Sequence, residues 1–239
     1  MPKIDVRRFS TRSELDAALA DRLEQAIRAT ASESGGGPPV IMLSGGNTPL
    51  PAYREVARRR PPHGEALTVI YSDDRYVPAN SDASNYHATR PLLDSLALSE
   101  AQVLRVRTEL PLEEAARDYE SSLRTLLSSG ARIGLALLGI GPDGHTASLF
   151  RPEHLQQARG RLAIAVQRPD GMQGISVTPD FLANVAEPLF VVAGSGKHDA
   201  IAAFMAQDPN IVALRAVAAC PRVELWIERA SELAPSESK

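Results

Sequence analysis

Short segments of uninterrupted apolar residues recur along the chain, and segments with helical periodicity separate most of them. The clearest apolar segments are residues 40–43, 67–71, 133–140 and 189–193. Apolar side chains that follow one another without alternation are typical of parallel strands, because helices cover both faces of a parallel sheet. The pattern therefore predicts a three-layer α/β fold, with a mainly parallel sheet and helices on both faces.

The remaining elements follow from the same kinds of pattern. Leu15, Leu19, Leu23 and Ile27 are spaced to share one helix face, and Ser13 is the expected N-cap. Further helices are predicted to begin at Pro49 and at Thr178, and to cover 84–95, 112–127 and 200–205. Further strands are predicted at 162–166, 175–177 and 223–227. A loop rich in glycine, serine and proline is predicted at 31–39, and the tail from residue 235 is polar.

Composition and charge argue against several classes of function. Lys and Arg number 26 against 29 Asp and Glu, a net charge of −3, so the basic excess of a nucleic-acid-binding protein is missing. No apolar run is long enough for a bilayer span, and the N-terminus lacks the apolar stretch of a signal peptide. A single cysteine, Cys220, cannot form an internal disulfide and is expected to be buried. We expect one α/β domain over residues 1–239, cytoplasmic, and monomeric or weakly homo-oligomeric, without nucleic-acid or membrane partners.

The chemically rich segments begin where predicted strands end. They follow Leu43, Tyr71, Ile140 and Ala193. In open α/β sheets the ligand site lies beyond the carboxyl ends of the strands. The four loops are therefore expected to converge on one edge of the sheet.

The loop at residues 44–48 has the features of an anion cradle. Gly45 and Gly46 allow the backbone to approach a ligand closely, and the helix predicted behind them adds partial positive charge. Hydroxyls of Ser44 and Thr48 can add hydrogen bonds, and Asn47 lies between them. A strand-to-helix turn of this composition also occurs without a ligand.

Residues 139–145 match a dinucleotide fingerprint only formally. The three glycines have the spacing G-x-G-x-x-G, but Asp143 would repel a pyrophosphate and no acidic residue follows at the distance needed for a ribose. The alternative is a turn that presents Asp143 and His145 together, with Gly144 between them. A nearby carboxylate can orient an imidazole and stabilise its protonated form. A surface or satisfied core histidine is the competing interpretation.

Two other loops carry charge. Asp73, Asp74 and Arg75 follow the second strand, where a guanidinium can clamp a carbonyl or phosphate oxygen, although such a triplet is often a solvated turn. Residues 194–197 lack the spacing of a Walker A loop. Lys197, the only lysine far from a terminus, suits a phosphate at a helix start, and a plain surface lysine is the alternative.

The remaining chemistry-bearing residues give no site of their own. No histidine pair has zinc-ligand spacing, so no metal is expected, and His63 and His154 are expected to be solvated. No G-x-S-x-G elbow is present, and Cys220 has no local setting of a nucleophile. Chemistry through an activated water is therefore favoured over a covalent route.

Four segments together resemble the 6-phosphogluconolactonases of the glucosamine-6-phosphate deaminase/6-phosphogluconolactonase superfamily. They are LSGGNTPL at 43–50, SDDRYVPA at 72–79 with Ser84-Asn85-Tyr86 downstream, LGIGPDGHTASLFR at 138–151, and VAGSGKH at 192–198. The block at 138–151 is the most specific, because the deaminases continue differently after Asp-Gly-His. The resemblance implies a fold of the deaminase and ribose-5-phosphate isomerase-like kind. It also implies hydrolysis of 6-phospho-D-glucono-1,5-lactone in the pentose phosphate pathway, without a cofactor.

The resemblance also implies roles for individual residues. His145 would deprotonate the attacking water with Asp143 near it, and Arg75 would stabilise substrate oxygens together with the amides of Ser44, Gly45 and Gly46. Lys197 would help to hold the phosphate. The remaining expected substrate-binding residues are Asn47, Thr48, Asp73 and Gly144. Which loop takes the phosphate and which takes the lactone end stays open.

This chain departs from the usual pattern of the family at three points. Asp74 replaces a more usual glutamate, and Asn47 replaces a frequent serine. The family usually has an arginine just before the strand that begins at Ile175, whereas residues 171–174 contain none and Arg168 is the nearest basic residue. Two alternatives remain: an amino sugar phosphate isomerase or deaminase, which the sequence after His145 disfavours, and a non-catalytic sugar-phosphate sensor.

Overall fold

The computed structural model describes residues 1–32 and 37–233. Residues 33–36 of the predicted loop and the predicted polar tail lie outside this part. In chain order the strands of the described residues are β1 (Lys3–Phe9), β2 (Pro39–Leu43), β3 (Thr68–Tyr71), β4 (Asp73–Arg75), β5 (Val103–Leu104), β6 (Arg132–Leu138), β7 (Ala163–Gln167), β8 (Gln173–Val177), β9 (Pro188–Val192) and β10 (Arg222–Glu228).

The helices are mostly short and lie between the strands. In chain order they are α1 (Arg12–Ala29), α2 (Leu50–Arg59), α3 (Asn85–Ser95), α4 (Leu112–Ser128), α5 (Pro152–Gln157), α6 (Pro179–Leu182), α7 (His198–Met205) and α8 (Val212–Ala216). Single 3₁₀ turns cover Glu100–Gln102 and Arg229–Glu232. None of the helices in the described ranges is long and apolar enough to cross a membrane.

Seven strands form one sheet in the order β1-β10-β9-β6-β2-β3-β5, and every neighbouring pair is parallel. Successive strand residues face opposite layers. Ile41 and Leu43 pack with α1, α2 and α3, whereas Val40 and Met42 pack with α4, α7 and α8. The predicted three-layer α/β architecture is therefore confirmed.

A second, smaller sheet of three antiparallel strands, in the order β4-β8-β7, packs on the α4 side. The segments at 162–166 and 175–177 were expected among the strands of the parallel sheet, and they form β7 and β8 here. Only a few residues join them, and a connection that short permits only an antiparallel pair. The charged triplet at 73–75, a solvated turn on one interpretation, is instead strand β4 and pairs with β8.

Several local expectations need correction. The N-cap of α1 is Thr11, whose hydroxyl accepts from the amide of Glu14, and not Ser13. His154 is buried, and its Nδ1 accepts from the amide of Phe150, so it is not solvated. His63 is half-buried and contacts two backbone carbonyls. The expected burial of Cys220 is confirmed.

The sheet order explains where the functional loops meet. Strands β9, β6, β2 and β3 are consecutive neighbours and all run in the same direction. Their carboxyl ends therefore lie side by side along one edge, as the sequence predicted for the four loops.

Two buried phenols hold the ends of the neighbouring strands β2 and β3. The hydroxyl of Tyr53 donates to the carbonyl of Ser44 at 2.9 Å and accepts from its amide at 3.2 Å. The hydroxyl of Tyr119 does the same for Tyr71, at 2.5 and 3.0 Å. Burial raises the pKa of both phenols, so each stays protonated and can donate. The two loops that follow therefore start from fixed backbone positions.

Glu120 ties α4 to the start of β7. Its buried carboxylate accepts from the amide of Leu162 at 3.0 Å and from Nε of Arg161 at 2.6 Å. We expect Glu120→Ala to lower the free energy of unfolding by about 1–3 kcal/mol, because the partly buried amide of Leu162 loses its acceptor. Urea denaturation measures the change. Arg117→Ala, at an exposed position of the same helix, should change it by less than about 0.5 kcal/mol. Equal losses in the two variants would contradict the assignment.

Candidate active site

A cavity of about 480 Å³ lies at the edge of the sheet where β9, β6, β2 and β3 end. All four predicted loops contribute to its wall. The predicted site residues that line it are Ser44, Gly45, Gly46, Asn47, Thr48, Asp73, Arg75, His145 and Lys197. The structure thus brings most of the predicted residues together in one hollow of a size suited to a small molecule.

The loop at 44–48 has a shape that depends on both glycines. Gly46 has a φ of +85°, in the region that favours glycine. Gly45 is needed for space, because a β-carbon there would lie 1.8 Å from Oδ1 of Asn85. Arg12, from the first turn of α1, donates to the carbonyls of Asn47 and Thr48 at 3.0 and 2.9 Å. These two carbonyl oxygens are therefore already hydrogen-bonded to Arg12 and do not need a donor from a ligand.

Asn85 connects this loop to the end of β3. Its side-chain amide donates to the carbonyl of Asp73 at 2.8 Å, and its Oδ1 accepts from Nη1 of Arg75 at 2.7 Å. The same Nη1 donates to the carbonyl of Ala83. Nε of Arg75 is buried and has no partner within the described residues. The guanidinium of Arg75 is therefore fixed at the cavity wall with a donor still unused.

The two neighbouring carboxylates of β4 face different surroundings. Asp73 lines the cavity and accepts from the hydroxyls of Ser72 and Ser148 at 2.8 and 2.7 Å. Asp74 accepts instead from the amides of Asn85 and Tyr86, at the start of α3. Burial raises the pKa of Asp74 to about 6, against the opposing effect of these amides. Asp73 is thus available to a ligand, whereas Asp74 caps a helix.

His145 and Asp143 form a hydrogen-bonded pair at the end of β6. Nδ1 of His145 lies 2.5 Å from Oδ1 of Asp143, and the imidazole is about a quarter exposed. Burial opposes ionisation of Asp143, but the hydrogen bond and charge of His145 outweigh it and lower the pKa of that carboxyl. Gly141 makes room for the pair, because a β-carbon there would lie 2.0 Å from Nδ1 of His145. An imidazole held in this way can take a proton from a water in the cavity through Nε2.

Two predicted site residues stay outside the lining. Asp143 lies behind His145 and contacts it instead of the cavity. Gly144, which we expected to bind substrate, packs against α8. Its carbonyl accepts from the amide of Ala213, and a β-carbon there would lie 2.9 Å from Ile211.

Two cations lie near the loops after β9 and β2. Lys197 lines the cavity just before α7, and Arg12 lines it from α1. Burial, and then the positive charge of Arg12, lowers the pKa of Lys197. Nε of Arg12 also pairs with Asp16 at 2.7 Å. Because the charge of Arg12 still disfavours the ammonium of Lys197, an anion near both is favoured. Sequence reasoning missed Arg12, since nothing near residue 12 signals a site.

Arg168 also lines the cavity, from the turn that joins β7 to β8. Its guanidinium lies 5.1 Å from the ring centre of Phe150, and that ring lies 4.3 Å from the imidazole of His145. The lack of an arginine at 171–174 therefore does not leave this wall without a guanidinium. Within the described ranges, no group of three or more metal-ligating side chains occurs.

The fold and the cavity define an α/β protein with a small-molecule site, lined in part by cations, at the ends of parallel strands. A family model for glucosamine-6-phosphate isomerases/6-phosphogluconolactonase matches residues 10–226. The chain belongs to this family.

Known relatives agree with this assignment. The chain is 35% identical to a 6-phosphogluconolactonase from Homo sapiens over 200 residues, which are 79% of this chain and 76% of the relative. It is 33% identical to one from Synechocystis over 215 residues, 87% of each chain. The crystal structure of 6-phosphogluconolactonase from Thermotoga maritima is similar with a TM-score of 0.77 and 25% identity, covering 95% of this chain and 100% of that chain. The fold expected from the resemblance is therefore confirmed.

The two loop glycines provide a matched test of this geometry. Gly45→Ala should lower the free energy of unfolding by about 3 kcal/mol, because the new methyl group overlaps Asn85 and displaces its hydrogen bonds. Gly46→Ala should lower the free energy of unfolding by only about 1 kcal/mol. The new methyl group meets no atom within 4 Å, so only the left-handed backbone conformation of residue 46 is strained. Urea denaturation of both variants measures the difference. A larger loss at Gly46 would contradict the arrangement described here.

Proposed function

We propose that this chain hydrolyses 6-phospho-D-glucono-1,5-lactone to 6-phospho-D-gluconate, a step of the pentose phosphate pathway, in the cytoplasm. Membership of the family and its lactonase relatives support the reaction. The single observation that carries the mechanism is the His145–Asp143 pair, whose imidazole lines a cavity also lined by cations and by Gly45 and Gly46.

The reaction needs one nucleophile, water, and one base. His145 removes a proton from water as the water oxygen bonds to C1 of the lactone. Asp143 stabilises the imidazolium that forms. The C1–O5 bond then breaks, and the ring oxygen takes the proton held by His145 to become the C5 hydroxyl, which returns the imidazole to its neutral form. Arg75 and the amides of Gly45 and Gly46 stabilise the negative oxygen that develops on C1. The amide of Ser44, which the resemblance also implied, donates to the hydroxyl of Tyr53 instead.

The substrate is oriented by charge. Lys197 and Arg12 take the phosphate, because these cavity-lining cations lie just before α7 and against Asn47 and Thr48, the last residues of the 44–48 loop. The lactone ring then extends toward His145 and Arg75. Asp73, fixed by two serine hydroxyls, accepts hydrogen bonds from the sugar. This proposed orientation is one of the two arrangements that the sequence left open.

A coupled assay tests the activity. Glucose-6-phosphate dehydrogenase generates the lactone in place, and its loss is followed above the spontaneous rate. We expect the protein to accelerate the loss in proportion to its concentration. Lactone that decays at the spontaneous rate would contradict the proposal. Binding of 6-phosphogluconate without turnover would then indicate a sensor, and ammonia release from glucosamine 6-phosphate a deaminase.

His145→Ala tests the base. We expect kcat to fall about 10²- to 10⁴-fold while KM changes little, because the imidazole acts on water and not on substrate binding. His87→Ala is the control, since that imidazole is 42% exposed and lies outside the cavity lining. Near-normal turnover of His145→Ala would remove His145 from this role.

Lys197→Ala tests the phosphate end. We expect Kd for inorganic phosphate, measured by calorimetry, to rise about 10- to 100-fold through loss of a charge-assisted hydrogen bond. In the unaltered protein this affinity should fall as pH rises toward the lowered pKa of Lys197, below the ordinary 10.5, because only the ammonium form attracts the anion. Lys3→Ala, at an exposed lysine, should bind phosphate normally. Unchanged binding by Lys197→Ala would move the phosphate elsewhere.

A further inference from the structure

Arg168 is buried at the cavity wall although it lies in a turn. It directly follows β7, and its amide donates to the carbonyl of Met172 to close the turn. Only 10% of its side chain is exposed. An arginine in a hairpin turn normally extends into water, so this one is held inward by specific contacts.

Three kinds of contact fix the guanidinium. Nη2 and Nε donate to Oδ2 of Asp170 at 2.9 and 3.1 Å, and Nη1 donates to the hydroxyl of Ser148 at 2.9 Å. That hydroxyl in turn donates to Asp73, whose Oδ2 lies 4.0 Å from the same Nη1. The flat face of the guanidinium lies over the ring of Phe150. A guanidinium oriented in advance loses little entropy when it binds a ligand.

The side chain reaches the cavity across Gly174. In the antiparallel pair of β4 and β8, Arg75 is directly opposite Gly174, so their side-chain positions share one face of the small sheet. A β-carbon at 174 would lie 3.2 Å from Cδ of Arg168. Gly174 does not have a positive φ, so backbone freedom is not the reason for glycine. Its missing side chain leaves the space that Arg168 occupies.

Arg168 and Arg75 therefore approach the same part of the cavity. The pKa of Asp170 is lowered chiefly by its hydrogen bond with Arg168, and the charge of Arg75 contributes, which places the two cations near one carboxylate. Phe150 contacts both the guanidinium of Arg168 and the imidazole of His145. Arg168 therefore lies on the His145 side of the cavity, and Arg75 is directly opposite Gly174 on the same face of the small sheet.

We propose that Arg168 is a substrate-binding residue that donates a hydrogen bond to an oxygen at the lactone end of the substrate, beside Arg75. The inference rests on the proposed function and extends it to a residue on the β7–β8 hairpin. Because Lys197 and Arg12 hold the phosphate, Arg168 determines affinity for the sugar acid portion and not for the phosphate.

Calorimetric titration with two probes tests this inference. The probes are 6-phospho-D-gluconate, which has both ends, and inorganic phosphate, which has one. For Arg168→Ala we expect Kd for 6-phosphogluconate to rise about 10- to 100-fold, while Kd for phosphate stays within about twofold. Arg161→Ala is the matched control, because this arginine just before β7 pairs with Glu120 and lies outside the cavity lining. It should bind both probes normally.

A relocated arginine separates binding from a purely structural role. In the double variant Arg168→Ala/Gly174→Arg, the new arginine side chain begins beside the position that the Arg168 side chain occupies in the unaltered protein. We expect it to restore most of the lost affinity for 6-phosphogluconate. Arg168→Lys keeps the positive charge but not the planar, two-pronged donor geometry of a guanidinium. It should therefore retain less affinity for 6-phosphogluconate than the double variant. Unchanged affinity in Arg168→Ala, equal losses for both probes, or failure of the relocated arginine would each overturn the proposal. Because titration needs no turnover, these outcomes are distinct from failure of the lactonase assay.

Discussion

The parallel alignment of four neighbouring strands is the constraint on which the site depends. Parallel strands place all their carboxyl ends at one edge, and the last backbone groups there lack partners in the sheet. Tyr53 and Tyr119 supply those partners from helices on opposite faces, through buried hydroxyls. The loops that follow β2 and β3 are therefore anchored by the two helical layers as well as by the sheet. This double anchoring lets short loops hold charged groups at fixed positions without long supporting segments.

The balance of charge in the cavity depends on which of the adjacent charged side chains face it and which bind backbone groups instead. Asp73 and Asp74 are neighbours on β4 and face opposite ways, one toward the cavity and one toward the start of α3. The backbone amides at the start of α3 donate to Asp74. This carboxylate therefore holds the backbone in position and adds no repulsion for an anion in the cavity. Arg12 similarly binds loop carbonyls with one nitrogen while its charge acts on Lys197. Cations thus face the ligand, and most of the neighbouring carboxylates are already paired.

Sequence reasoning predicted the architecture because apolar runs and helical spacing report burial directly. It also placed the four loops at one sheet edge, since strand direction fixes that edge once the sheet is parallel. It missed β1, whose charged residues Asp5, Arg7 and Arg8 conceal an edge strand, and it did not separate β7 and β8 from the main sheet. Arg12 and Arg168 were not predicted in the site, because only tertiary packing brings a helix start and a hairpin turn to that edge. Gly144 lies against α8, and its expected role in substrate binding stays a prediction.

At three glycines of this site, a neighbouring side chain occupies the volume that a β-carbon would take. Asn85 fills the position beside Gly45, His145 that beside Gly141, and Arg168 that beside Gly174. Alanine scanning elsewhere deletes atoms and reports a lost contact, but at these positions it inserts a methyl group into occupied volume. A scan that ranked residues by loss of activity would therefore score these glycines as if their side chains reacted, although what the cavity needs from those positions is the absence of a side chain. Mutational maps of such a cavity need to be interpreted with the sign of the volume change in mind.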